Sequence, residues 1–215
     1  MAKVHPNVAV PSLALPAAAI APVACDDEPV TLTVWRKSLL FNCRGFTVFD
    51  ASGNLVYRVD SYASDSRAEV VLMDAAGRPV LTVRRKKKAI GALVGGDQWL
   101  VFPGEEKRVP PLYAVKRRGV GGGNKSMAHV AACGGDVGGG RYEVEGSYAR
   151  RCCVVYDEQR RAVAEVQPKE AVGTDVFRMV VRPAAEGMDV SLAMAVVLAL
   201  DQMFGRPSLL RNWSF

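Results

Sequence analysis

The sequence predicts a mainly β protein, one antiparallel barrel closed around a buried C-terminal helix. Three observations predict it. Short β-branched and aromatic runs recur along the chain with turn residues between them. Three of those turns share one design, in which an Asp is followed three residues later by the residue that closes a hairpin. A late segment, near residues 190–204, is apolar on all sides through most of its length and is followed by a glycine.

The strand signals lie at residues 31–35, 46–49, 55–59, 70–73, 80–83, 99–102, 112–115, 142–144, 152–155, 163–166 and 176–181. In the first of them Leu32 and Val34 share a face. Short strands at regular spacing are the pattern of an antiparallel sandwich or barrel. The repeated turns are Asp50 to Gly53, Asp74 to Gly77 and Asp157 to Arg160. An Asp side chain bonds its own turn backbone, and glycine accepts the left-handed conformation that follows. Arg160 stands where the other two have glycine, so the third hairpin is either strained or of another turn type. Three hairpins of one design indicate a meander.

The remaining segments are read from composition. Residues 1–29 carry Pro6, Pro11, Pro16 and Pro22 among Ala and Val, and are expected to be a flexible tail without a secretory leader. Residues 30–215 form the domain. Within it, residues 119–140 are dense in glycine and are expected to be a disordered loop, with a second, shorter loop at 91–96.

The helix is delimited by Asp189, a good N-cap, and by a stop at Gly205 and Pro207. Residues 192–200 are apolar without a break, which demands burial all round or lipid. Its length decides: ~15 residues at ~1.5 Å each span roughly 22 Å, short of the ~30 Å hydrocarbon core. Asp201 and Gln202 also end the apolar run abruptly. The expectation is burial inside protein, with no transmembrane span. A barrel able to hold a helix needs more strands than the roughly eight whose own side chains fill the interior.

The chain has 215 residues, enough for one domain with a sizeable core, and a formal net charge of +6 that favours anionic partners. Its cysteines, Cys25, Cys43, Cys133, Cys152 and Cys153, are odd in number and show no metal spacing, which fits a reduced intracellular setting. Cys152 and Cys153 are adjacent, so on a strand they face opposite ways. Trp35 and Trp99 are read as barrel packing.

Catalysis finds little support. The histidines are His5 in the tail and His129 in the glycine-rich segment, neither on a scaffold that would orient it. No nucleophile–base arrangement, metal site or cofactor site is readable. The segment from Gly119 to Ser126 looks like a phosphate loop, but Asn124 precedes Lys125 where that motif has glycine, and no helix follows.

Three motifs carry a family resemblance. Leu32-Thr33-Val34-Trp35-Arg36-Lys37-Ser38-Leu39 is followed by Gly45-Phe46-Thr47-Val48-Phe49-Asp50. Val71-Leu72-Met73-Asp74-Ala75-Ala76-Gly77 leads into Arg84-Arg85-Lys86-Lys87. Asp201-Gln202-Met203-Phe204 closes the apolar helix. Together, over residues 30–206, they resemble the plant LURP-one-related proteins. The resemblance implies a fold similar to the tubby C-terminal domain and to phospholipid scramblases: an antiparallel barrel of about twelve strands around a hydrophobic helix. It brings no catalytic site, and it implies a link to plant defence.

The best candidate site is the basic run Arg84, Arg85, Lys86, Lys87 and Lys88, joined by Lys116, Arg117 and Arg118 if their strands are neighbours. Cations near an anionic membrane contribute on the order of 1 kcal/mol each, and the tubby resemblance implies phosphoinositide binding. The bland alternative is a solvated strand edge kept from aggregating by charge. The resulting expectation is a non-enzymatic intracellular, cytoplasmic module that binds anionic phospholipid in plant defence or stress signalling, with plasma-membrane association open. Two alternatives stand beside it: a scramblase-like membrane protein with the C-terminal helix inserted, and a nuclear regulator using the basic run as an address. Sequence reading of nucleic acid is not expected, because no recognition helix accompanies the run.

Overall fold

A computed structural model describes residues 28–40, 43–61, 68–87, 97–106, 108–118, 125–134, 140–169, 173–182 and 188–205. Twelve strands form a closed antiparallel barrel in which every strand pairs with its sequence neighbours and the first pairs with the last. They are β1 (Val30–Trp35), β2 (Arg44–Phe49), β3 (Leu55–Ser61), β4 (Glu69–Asp74), β5 (Pro79–Arg85), β6 (Gln98–Pro103), β7 (Tyr113–Arg117), β8 (Ser126–Ala132), β9 (Arg141–Ser147), β10 (Cys152–Tyr156), β11 (Ala162–Pro168) and β12 (Val176–Val181). A 3₁₀ turn, Tyr148–Arg150, follows β9, and the helix α1 is Val190–Phe204.

Alternation explains the wall. Leu32 and Val34 of β1, Val70 and Leu72 of β4, and Phe177, Met179 and Val181 of β12 all point inward and are buried. They meet α1, whose residues from Leu192 to Asp201 are buried without interruption. The helix starts as its sequence requires: the Asp189 carboxylate accepts from the Ser191 and Leu192 amides at 2.7 and 2.9 Å. It ends at Gly205, which serves by its small size. Its φ is −61°, but a Cβ there would lie 2.2 Å from the Asp201 carbonyl oxygen.

The Asp turns form as the repeat predicts. The amides of Gly53, Gly77 and Arg160 donate to the carbonyls of Asp50, Asp74 and Asp157 at 3.1, 3.0 and 3.0 Å. A register shift follows in each ladder. Arg160 takes the same left-handed conformation as the glycines, at φ 62° against 83° and 85°. The third hairpin is therefore the strained version of the same turn, its side chain stacked on Tyr156 and paired with Glu145 at 2.9 Å. Nothing lies within 4 Å of a Cβ built at Gly53. Gly53→Ala is thus expected to cost only the left-handed conformation, about 1–2 kcal/mol, measurable as a lower urea midpoint with an unchanged slope.

Three expectations need correction. The glycine-dense segment is not one disordered loop: Ser126–Ala132 is strand β8, paired with β7 and β9. Its inward positions are Ser126, Ala128 and Val130, mostly small, so it lacks the bulky alternation that marks other strands. His129 accordingly sits on a rigid strand, in register with Lys116 and Glu143. Trp35 is not interior packing. Leu32 and Val34 take the inner face, so Trp35 turns outward, 45 % exposed and edge-on to Phe49, whereas Trp99 is buried. Residues 1–27, 91–96, 119–124 and 135–139, with Pro207, lie outside the described residues.

Cys152 and Cys153 do face opposite ways. Cys152 is exposed, and burial pushes the Cys153 thiol up to about 12.

Candidate functional site

A meander gives the barrel two unlike ends, because successive connections alternate between them. Connections leaving even-numbered strands hold the Asp50, Asp74 and Asp157 turns, Glu105, Glu106 and the helix start at Asp189. Connections leaving odd-numbered strands hold most of the cationic segments: Lys37 after β1, Lys86 and Lys87 after β5, Arg118 and Lys125 between β7 and β8, Arg150 after β9 and Lys169 after β11. Arg44 opens β2 at this end, and Arg85, Lys116 and Arg117 end β5 and β7 there. All of these cations are exposed.

Both predicted basic segments reach this end. The Lys86 amide donates to the Gln98 carbonyl at 2.9 Å, Gln98 is in register with Lys116, and the Arg117 amide donates to the Asp97 carbonyl at 2.8 Å. One strand, β6, separates them, placing the two segments roughly 10 Å apart.

Within the segments the cations differ in freedom. Arg84 belongs to the wall: its Nε donates to Glu69 at 2.6 Å and its guanidinium lies 4.6 Å over the Phe102 ring. Arg85 pairs with Asp97 at 2.6 Å and Arg118 with Glu143 at 3.0 Å. Arg117 stacks 4.9 Å over Phe204, tying β7 to the end of the helix. No salt bridge among the described residues engages Lys86, Lys87, Lys116 or Lys125. Lys88 lies outside the described residues.

Beneath this end lies a buried polar cluster that the sequence did not reveal. Asp201, in the last turn of α1, accepts from Arg36 Nε at 3.1 Å and from the Tyr148 hydroxyl at 3.2 Å. Arg151 is 4 % exposed, in the left-handed conformation at φ 54°, with its guanidinium over Tyr148 and Phe177 at 4.3 and 4.5 Å. Its Nε donates to the Thr174 carbonyl at 2.8 Å. The cluster joins the helix to the connections after β1, β9 and β11. Burial raises the Asp201 pKa, with Arg36 and Arg151 opposing, and burial likewise holds the Tyr148 hydroxyl well above its usual value. The only signal in the sequence was a carboxylate ending an apolar run.

Within the barrel the described residues leave little open space. A gap of about 10 Å³ between α1 and the wall from β9 to β12, lined by residues such as Cys153, Met179 and Val197, is water-sized. No His, Cys, Asp and Glu cluster with metal-binding potential occurs among the described residues. Ser126, at the end of the phosphate-loop look-alike, opens a strand instead of a helix.

The family model for LURP-one-related proteins matches residues 30–201, the whole wall and nearly all of the helix. The chain belongs to the LURP-one-related family. It is 44 % identical over 189 residues to protein LURP-one-related 8 of Arabidopsis thaliana, covering 84 % of this chain and 90 % of the relative. LURP-one-related 5 of the same plant is 41 % identical over 189 residues, covering 83 % and 85 %. A crystal structure of an Arabidopsis thaliana protein matches with a TM-score of 0.58 and 28 % identity, over 82 % of this chain and 92 % of that one. The LURP-one-related barrel corrects the inserted-helix alternative: α1 is enclosed by the strands, and no helix among the described residues is long and apolar enough to cross a membrane.

Proposed function

We propose that this LURP-one-related protein is a non-catalytic module that docks on anionic phospholipid through the cationic end of its barrel, within plant defence or stress responses. One observation carries the reading: topology gathers two separate basic segments, from β5 and β7, at the same end of the barrel. Lys86, Lys87 and Lys116 are the strongest contributors, with Lys88, because no ion pair among the described residues engages the first three. Arg84 is assigned to the wall and not to the lipid. A phosphoinositide headgroup, with several phosphates in a small area, suits ammonium groups carried by two strands with one between them.

Vesicle flotation tests this. The full chain is expected to float with phosphatidylcholine vesicles containing phosphatidylserine and a phosphoinositide, and to be released by salt. A K86Q/K87Q/K88Q/K116Q variant is expected to bind at least tenfold more weakly, since each cation contributes about 1 kcal/mol near the surface. Equal flotation of both proteins would reject the site.

A further inference from the structure

The connection between β1 and β2 inverts the usual rule for surface loops. Among its described residues it buries the hydroxyl-bearing Ser38 and exposes the apolar Leu39 and Leu40. Ser38 is 4 % exposed and its hydroxyl donates to Asp60, whose carboxylate also faces Arg58 Nε at 3.2 Å. The Ser38 oxygen accepts from the Leu40 amide at 3.0 Å, and the Lys37 carbonyl accepts from Thr47 at 3.2 Å. Arg36 anchors the loop base through Asp201 and through its amide, which donates to the Asp175 carbonyl at 2.7 Å. With the backbone pinned at these points, Leu39 and Leu40 turn to solvent, 57 % and 38 % exposed, and Trp35, which ends β1, is 45 % exposed. Of the five large hydrophobic residues exposed among the described residues, these are three. Single exposed apolar residues are ordinary, but three within six residues of chain at one end of the barrel signal an interaction surface.

Its surroundings select the partner. Lys37 lies within the loop and Arg44 just after it, both exposed, and the loop leaves the barrel at the end that carries Lys86, Lys87, Lys116, Arg117, Arg118, Lys125, Arg150 and Lys169. The carboxylates there are mostly engaged: Asp60, Glu69, Asp97 and Asp201 each face an arginine within 3.2 Å. Among the described carboxylates at this end, Asp175 is the well exposed one, 3.9 Å from Arg36. An apolar tip within a cationic surface complements an anionic bilayer, where leucines reach the acyl boundary and tryptophan prefers the headgroup level.

We propose that the β1–β2 connection is a membrane anchor, with Leu39 and Leu40 entering the interface of an anionic bilayer and Trp35 seated at headgroup depth. This rests on the lipid-docking reading above and adds an apolar, salt-resistant component to it. Neither leucine belongs to the buried core or to the residues packed against it, so L39S/L40S keeps every charge and is expected to keep a melting temperature close to the wild type's. On the phosphatidylserine- and phosphoinositide-containing vesicles, this variant is expected to bind at least tenfold more weakly and to lose the binding that persists at high salt. Trp35 fluorescence is expected to be quenched by lipids brominated near the headgroup, and that quenching to vanish in W35F. Wild-type affinity, an unchanged salt profile and no Trp35 quenching in the bound state would overturn the anchor. If the lysine variant still loses flotation in that case, the cationic docking reading survives alone. If the wild type binds no anionic vesicle, both fall.

Discussion

Ala195→Asp is expected to yield no folded protein. Ala195 lies midway along α1 and is fully buried, with Met194 and Val196 on either side equally enclosed. A carboxylate at that depth has no cation within the apolar interior, and an uncompensated buried charge costs several kcal/mol even after relaxation. Net stabilities of whole domains are only about 5–15 kcal/mol, and the added volume overpacks the same site. The measurement is soluble yield together with a thermal melt by circular dichroism. Ser191→Asp is the control: it puts the same charge in the partly exposed first turn of α1, giving up the bond from its hydroxyl to Asp189, and is expected to stay folded with a loss of about 1–2 kcal/mol. A soluble Ala195→Asp protein with the wild-type melting temperature would show that the helix is not the core of the barrel.

Asp201→Ala is expected to be the costliest change among the polar residues, about 3–5 kcal/mol in urea denaturation. It takes from Arg36 the nearer of its two carboxylates, leaving Asp175 at 3.9 Å, removes the acceptor from the Tyr148 hydroxyl and takes away the carboxylate whose charge acts on Arg151. Tyr148→Phe, which removes one hydrogen bond and keeps the ring against Phe177, is expected to cost about 1 kcal/mol. The cluster also sets a pH signature. The pKa of Asp201 is raised in the fold, so its contribution is greatest below the unfolded value near 3.8 and declines as pH rises through the folded value. Asp50 and Asp74 are lowered, chiefly by bonds from Asn54 and Arg78, and Asp157 is lowered by its bonds to Arg161 despite burial. Their contribution is present above the unfolded value and is lost as pH falls through the folded one. In acid the two effects oppose. Asp201→Asn is therefore expected to lose stability more steeply than wild type between neutral pH and about pH 3, read as urea midpoint against pH.

Much of the fold was legible because alternation, turn chemistry and an all-apolar helix are local signals. Leu32 and Val34 announce their face, Asp74 and Gly77 announce their turn, and Asp189 announces the start of α1. What local signals lack is parity. Strand β8 is hidden between glycine blocks by small inward residues, and omitting one strand swaps the ends assigned to everything after it. Without β8 the Asp157 turn falls on the cationic end and Arg150 leaves it. The basic runs themselves were visible as composition, but two facts were not: that β5 and β7 deliver them to one end, and that Arg84 is spent on Glu69 and Phe102. The buried Arg36–Asp201–Tyr148 contacts join residues far apart in the chain, where no periodicity reaches. Trp35 was misassigned although its orientation follows from Leu32 and Val34, since two inward neighbours at alternate positions leave it facing out.

The pairing of β1 with β12 has a consequence for how the molecule is made. The seam joins Val30 to Val181 and Trp35 to Val176, so it cannot zip until almost the whole domain has left the ribosome. The segment that fills the interior, α1, emerges later still. A nascent chain therefore carries an open, apolar-faced sheet through most of its synthesis, and its last helix must find its place before or as the two margins meet. Pairing between residues so distant in sequence is intrinsically slow, and exposed sheet margins invite association with other chains. The feature that leaves the finished barrel without an edge thus makes its biogenesis the stage at which chaperones have most to guard.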